Sequence, residues 1–267
     1  MIALPQSETE RILLKRLEEL GVSPRWNTQI AHVSQSEHGV MATSKTGETF
    51  EADWLLGADG SRSAVRDALG IAFSGSTYPE TWSIADAEID WPWPDCEASP
   101  RLQPDGSVLF LITLGEGRFR IIANRDDALE RAKALVNVRE VYLSETFNVS
   151  LKRVQRYGDR RIWIAGDAAH VHSPVGGMGM NLGMEDAADF VATLSGGASE
   201  ANFAAYTARR LKAAKRVLRV SDRGYNLART SNPWVRGARN IAIRVLASAG
   251  LATRWLTRVV FRTRDQT

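Results

Sequence analysis

Two short stretches hold the residues whose types and spacing could do chemistry. The first runs Gly57-Ala-Asp-Gly-Ser-Arg-Ser-Ala-Val-Arg66. An apolar run, Trp54-Leu55-Leu56, leads into it, and Ser63–Leu69 reads as a helix, so Asp59 stands at the carboxyl end of a strand. A carboxylate in that place, followed by glycine and a helix start, suits a ligand's hydroxyl or phosphate edge. Gly57 and Gly60 let backbone come close, and the helix N-terminus offers unpaired N–H groups. Arg66 falls where it could pair with Asp59 and fix its orientation. A plain strand–turn–helix with a capping aspartate gives the same pattern, and spacing alone leaves both readings open.

The second stretch is Gly166-Asp-Ala-Ala-His-Val-His-Ser-Pro-Val-Gly-Gly-Met-Gly-Met-Asn181-Leu-Gly-Met-Glu-Asp186. Asp167 again follows an apolar strand, Arg161–Ala165. The small residues Ala168, Ala169, Gly176, Gly177 and Gly179 leave room for a planar group to lie against backbone. Asn181 is expected to open a helix reaching about Leu194, its positive end facing that group. Negative charge placed there gains roughly 0.3–2 kcal/mol. His170 and His172 form a strand-period pair that could join Asp167 around a metal. No further ligand follows at a recognisable spacing, so no metal site is expected.

The elements that must position these stretches are legible in outline. Ser7-Glu8-Thr9-Glu10 reads as a capping box, with Ile12, Leu13, Leu17 and Leu20 as one apolar helix face and Gly21 as the stop. Strand-like runs follow near Arg25–Ser36, Val40–Lys45 and Thr49–Leu56, with turns at His38-Gly39 and Thr46-Gly47, which makes a β-meander. From Phe73 to about Gln155, strands interrupted by Pro79, Pro92, Pro94, Pro100 and Pro104 and one helical stretch near Asp126–Val136 suggest a mostly antiparallel second domain. Trp82, Trp91 and Trp93 lie in it, and suit an aromatic pocket or a packed core equally. From Glu200 the chain reads as helical and basic, broken at Asn232-Pro233. The expected organisation is residues 1–71, 72–155, 156–195 and 196–267, the first and third belonging to one split domain.

Composition bounds the class. Of 267 residues, 44% are hydrophobic and 24% charged, which predicts a packed core. The net charge of +3 is unevenly spread. Residues 209–267 hold 15 Lys/Arg against Asp222 and Asp265, leaving 19 basic and 29 acidic residues before them. Such asymmetry suits an anionic partner or simply a solvated helical surface. Nucleic acid is not the expected partner. Trp255, Leu256, Val259 and Val260 share a helix face beside Arg254, Arg258 and Arg262, which suits packing against the flank of the preceding domain, the preferred reading, and leaves peripheral membrane contact open. A single cysteine, Cys96, and a first segment without a basic secretion-signal pattern point to the cytoplasm.

Taken together, the two stretches resemble the internal fingerprints of the para-hydroxybenzoate-hydroxylase-like flavoprotein monooxygenases. The resemblance implies a mixed α/β (α+β) FAD-binding fold with an inserted, mostly antiparallel substrate sheet and C-terminal helices. It implies that Asp59 and Gly60 serve FAD and nicotinamide binding and that Arg66 closes the motif. Gly166 and Asp167 would hold the ribityl chain, and the loop from Pro174 through Gly177, Gly179, Met180 and Asn181 would lie against the isoalloxazine ring. Gln6 resembles a family glutamine near the ribityl region. Ser173 and Met178 depart from the usual proline and glutamine. Implied cofactors are FAD and NAD(P)H as reductant. The implied reaction is hydroxylation, with O2, of a small aromatic or polyketide-like substrate. The flavin supplies the oxygen chemistry, so no catalytic acid or base is named, and a loop-stabilising role is expected of His170. No Gly-x-Gly-x-x-Gly stands near the N-terminus, which makes the fold N-terminally incomplete relative to the family. The expectation is that these residues alone hold FAD weakly or not at all, an upstream segment or another chain supplying the ADP site. A partner-dependent or inactive form, or a related FAD-dependent reductase, is the alternative. A halogenase is disfavoured, since its tryptophan-centred motif is missing.

Overall fold

The computed structural model describes residues 6–93, 98–174 and 177–248. Two compact units form, one from Gln29–Tyr78 with Val149–Thr267, the other from Met1–Thr28 with Pro79–Asn148.

In the first unit, β1 (Ile30–Gln35), β2 (Val40–Ser44) and β3 (Thr49–Ala52) make the expected antiparallel meander in that order. Two boundaries differ from the expectation. The first strand begins at Ile30 rather than Arg25, because Asn27 takes a left-handed φ of 55° that no strand continues through. The run Thr49–Leu56 divides, and β4 (Leu55–Gly57) leaves the meander for a separate sheet. There β4 lies parallel to β11 (Ile162–Ile164), which pairs antiparallel with β10 (Gly158–Asp159). Helix α2 (Ala64–Ala68) follows β4, and a 3-10 turn (Gly166–Ala168) and β12 (His170–Val171) follow β11. Helices α4 (Gly179–Ser195), α5 (Glu200–Ala228) and α6 (Pro233–Ser248) complete the unit. Ser199 caps α5 by accepting from Asn202 N, and Asn232 Oδ1 accepts from Trp234 N ahead of a proline-started α6. The core joins Val65, Ile162, Ile164, Ala168, Phe190 and Tyr206, with Trp163 stacked on Phe203 at 4.3 Å between ring centres.

In the second unit, α1 (Gln6–Glu19) precedes the sheet strands. Ser7 lies inside this helix rather than at its cap, and Glu10 accepts from Gln6 Nε2 at 2.8 Å instead of reaching back to Ser7. The capping box therefore does not form. No residue of α1 is buried; its Ile12 and Leu13 stay exposed, as does Leu20 just beyond its end.

The antiparallel sheet runs in the order β12, β9 (Val138–Arg153), β5 (Ser74–Ile89), β8 (Arg118–Ala123), β7 (Val108–Gly115), β6 (Ala98–Leu102). Strands β5 and β9 each pass from one unit into the other. One face packs Ala85, Ala87, Leu111, Phe119 and Ile121 against Ala128 and Ala132 of α3 (Ala128–Lys133). Alternation puts Asp86 and its cross-strand neighbour Arg120 on the other face, joined by bonds of 2.7 and 2.8 Å. The tryptophans serve packing: Trp82 is fully buried, and Trp91 stacks on Phe119 and meets Trp93 edge-on. Among the described residues no helix is long and apolar enough to cross a membrane. Cys96, Gly176 and the Trp255–Val260 helix face lie outside the described residues.

Candidate cofactor site

Strand register brings the two sequence motifs side by side. Leu55, Leu56 and Gly57 stand opposite Ile162, Trp163 and Ile164, and Ala165 N donates to Gly57 O at 2.9 Å. Both acidic turns therefore leave the carboxyl ends of neighbouring parallel strands at matching heights, the end at which open α/β sheets take ligands. Gly57 is glycine for a steric reason. A Cβ there would stand 2.6 Å from Val65 Cβ, so α2 could not pack where it does.

Asp59 is exposed, and α2 fixes it: one carboxylate oxygen accepts Val65 N at 3.1 Å and the other accepts the Ser63 hydroxyl at 2.5 Å. Ser63 Oγ in turn accepts Arg66 N at 2.9 Å. The capping use of Asp59 is thus real, and the solvent side of its carboxylate remains available. The expected Arg66–Asp59 pair does not form. Arg66 is 5% exposed; its Nη1 donates to Ser61 O at 3.1 Å and to Ala168 O at 3.2 Å, with Phe73 under the guanidinium at 4.3 Å. The physical reason is that Asp59 is already satisfied by the helix start, whereas the buried Ala168 carbonyl needs a donor. Arg66 consequently ties the first motif to the second.

In the second motif Gly166 adopts φ 61°, and Ala169 N closes the turn on Gly166 O at 2.8 Å. Asp167 projects to solvent ahead of the buried Ala168 and Ala169, and among the described residues none donates to its carboxylate. Gly183 of α4 packs against the turn, where an added Cβ would come within 3.2 Å of Gly166 Cα. Asp186, one turn further along α4, is fully buried and holds Gly166 N at 2.9 Å, His170 Nε2 at 2.7 Å and Arg210 Nε at 2.5 Å. Burial works against the Arg210 charge, but the Asp186 carboxylate outweighs it and raises the guanidinium pKa above its ordinary value. Burial, reinforced by Asp186, pushes Tyr157 and Tyr206 upward as well. Sequence reading missed Asp186 and Arg210 as partners, since nothing local links residues on separate helices.

Helix α4 begins at Gly179, two residues before the expected Asn181, and its cap residue Met178 makes no side-chain capping bond. The first bond into the helix is Leu182 N to Met178 O at 3.0 Å, so the amides of Gly179, Met180 and Asn181 precede it without intrahelical acceptors. Met180 and Asn181 are exposed, Pro174 is half-buried, and Gly177 takes φ 60°. His172 donates from Nδ1 to Ser173 O at 2.7 Å, and its buried Nε2 finds no partner among the described residues. Burial lowers the His172 pKa, and His170 adds to this; the Ser173 carbonyl and Asp167 oppose it. The two histidines are thus committed to different partners rather than to a common centre. Gln6, in the other unit, is bonded to Glu10 within α1.

Two exposed carboxylates at adjacent strand ends and a helix start without a side-chain cap fit a flavin. The carboxylates can accept from a ligand's hydroxyls, and the amides ahead of the first intrahelical bond can donate to an anionic edge.

A family model described as an FAD binding domain matches residues 1–141 and 120–221. The chain belongs to that family, among its para-hydroxybenzoate-hydroxylase-like members. It is 33% identical over 208 residues to pentachlorophenol 4-monooxygenase of Sphingobium chlorophenolicum, covering 68% of this chain and 38% of the relative. It is 33% identical over 240 residues to 6-methylpretetramide 4-monooxygenase of Streptomyces rimosus, covering 81% and 43%. In fold it matches p-nitrophenol 4-monooxygenase of Pseudomonas putida DLL-E4 with a TM-score of 0.84 at 22% identity, over 95% of this chain and 71% of that one. The chain thus spans about two fifths of the length of these curated relatives.

Proposed function

We propose that this chain forms the ribityl- and ring-holding part of an FAD-dependent monooxygenase that hydroxylates a small aromatic or polyketide-like substrate with NAD(P)H and O2. The observation that carries this reading is the parallel register that sets the Asp59 and Asp167 turns side by side, next to the start of α4. The flavin, when bound, supplies hydride acceptance and oxygen activation. The chain's own residues bind and orient. Asp167 would take ribityl hydroxyls, the Gly179–Asn181 amides would face the ring's anionic edge, and Asp59 would serve the cofactor from α2. Buried Arg66 and Asp186 hold the two turns in place. Gln6, Pro174, Gly177 and Met180 are carried as flavin contacts by resemblance alone. We place the protein in the cytoplasm, and we take the ADP half of FAD to be held by a segment or chain beyond these residues.

The test is direct. The chain is purified alone and again joined to an upstream βαβ dinucleotide segment, and both are titrated with FAD while flavin fluorescence and NAD(P)H consumption are followed. Stoichiometric FAD and substrate-dependent NAD(P)H oxidation in the joined form support the proposal. Absence of flavin binding in both forms overturns it.

A second surface is part of this proposal. Helix α6 turns Arg239 inward onto Leu227 O and Ala228 O, while Trp234 is 86% and Ile241 64% exposed. With the basic residues of 209–267, this outward apolar face favours peripheral contact with anionic lipid. Co-sedimentation with phosphatidylserine vesicles but not with neutral ones is the expected result, and equal recovery with both would refute it.

A further inference from the structure

We propose that Asp186 is a positioning residue for the cofactor turn: its carboxylate fixes Gly166–Ala168, and with them the direction of Asp167, while Arg210 supplies the counter-charge. The inference rests on the flavin reading of that turn.

The carboxylate is fully buried and has partners on three separate elements. Its Oδ2 accepts Gly166 N at 2.9 Å and faces His170 Nε2 on β12 at 2.7 Å, and its Oδ1 accepts Arg210 Nε on α5 at 2.5 Å. A counter-ion for Arg210 alone would need only the last of these. The other two bonds bracket Asp167, one residue before it and three after. Gly183 presses the same glycine from α4, with 3.2 Å between its would-be Cβ and Gly166 Cα. Helix α4 therefore grips the left-handed Gly166 twice, by backbone contact and by hydrogen bond, and the peptide leading to Asp167 has one direction left. The His170 ring fits the same role. Its Nδ1 is buried without a partner among the described residues, so a ring that donates from Nε2 to Asp186 places that N–H where an acceptor exists.

The experiment separates positioning from stability. Asp186→Leu combined with Arg210→Met replaces the buried pair by apolar groups of similar size, a change that is often neutral for folding. It leaves Gly166 N and His170 Nε2 without their acceptor. Melting temperature, amide hydrogen exchange at Gly166–Ala169 and riboflavin affinity by fluorescence quenching are measured on the full chain. Asp186→Asn, which retains one acceptor oxygen, is measured in parallel. The expected result is a double variant that still melts cooperatively, exchanges its turn amides at least a hundredfold faster and binds riboflavin at least tenfold more weakly. Asp186→Asn should recover part of both effects. A cooperatively folded double variant with wild-type exchange and wild-type affinity overturns the proposal. Should the double variant fail to fold, Asp186→Asn decides alone: wild-type exchange and affinity in it overturn the proposal, and partial loss of both supports it. Faster exchange with unchanged affinity also overturns it, because the turn would then not hold the flavin. If the wild-type chain takes up no riboflavin even when joined to the upstream βαβ segment, the flavin reading itself fails, which is a separate result from failure of the variant comparison.

Discussion

Replacing Arg66 with methionine removes the side chain that spans the two motifs, and the structure allows its cost to be worked out. The Ala168 carbonyl sits on a fully buried residue and loses the donor at 3.2 Å, which costs about 2 kcal/mol for an unpaired buried acceptor. Ser61 is exposed, so its carbonyl can turn to water for about 0.5 kcal/mol. Loss of the contact with Phe73 adds about 0.5–1 kcal/mol. Methionine retains most of the aliphatic stem and relieves a buried guanidinium whose Nε is itself unpaired among the described residues. The net expectation is a loss of about 3 kcal/mol, or roughly 6–12 °C in melting temperature for a chain of this size. Arg66→Lys keeps the charge but not the fork, and should lose about half as much. Guanidinium chloride denaturation followed by circular dichroism measures both variants. A midpoint for Arg66→Met that moves by less than the equivalent of about 0.5 kcal/mol would refute the bridging role, because an exposed arginine costs no more than that.

Further outcomes follow from the same geometry. Asp167→Ala should weaken flavin binding about ten- to hundredfold in a flavin-binding form while moving the melting temperature little, since its carboxylate is exposed and takes no donor among the described residues; titration and calorimetry together check this. Gly57→Ala drives a Cβ to 2.6 Å from Val65 Cβ and should cost more than about 2 kcal/mol, measurable as a shifted denaturation midpoint. His172 has a folded-state pKa below the usual value of about 6.5, so in acid the unfolded chain binds the proton first. Its contribution should therefore cost stability as pH falls below about 6.5 and level off below the folded pKa, and His172→Gln should flatten that part of the stability–pH curve.

What the sequence disclosed was whatever depends on near neighbours. Strand–turn–helix punctuation placed Asp59 and Asp167 correctly at strand ends, and the Asn232-Pro233 break falls where α6 starts. The misses share one physical cause, competition for partners across long separations. Arg66 seemed a natural mate for nearby Asp59, but α2 had already claimed that carboxylate, and the arginine went to a carbonyl 102 residues away. Asp186 closes the second stretch with no role assigned to it, and only the fold reveals Arg210 from α5 against it. The box at Ser7 fails for a smaller reason: α1 already includes Gln6, so the serine lies past the cap position and Glu10 turns to the Gln6 amide instead. The meander could not reveal where β3 ends, because Thr49–Leu56 is apolar enough to read as one strand and only pairing with β11 divides it.

The pairing of β4 with β11 has a temporal consequence. Leu55 and Ile162 are neighbours in the sheet, yet the chain between them has to be made and gathered before they can meet. Closing so long a loop is entropically uphill until the contacts on both sides exist, and parallel pairing of that kind forms slowly. Local pieces such as the β1–β2–β3 meander need no such wait. The seat for a ligand should thus be among the last parts of the molecule to assemble, during refolding and on the ribosome alike. A compound that binds there would act late, trapping completed molecules and leaving the early steps untouched.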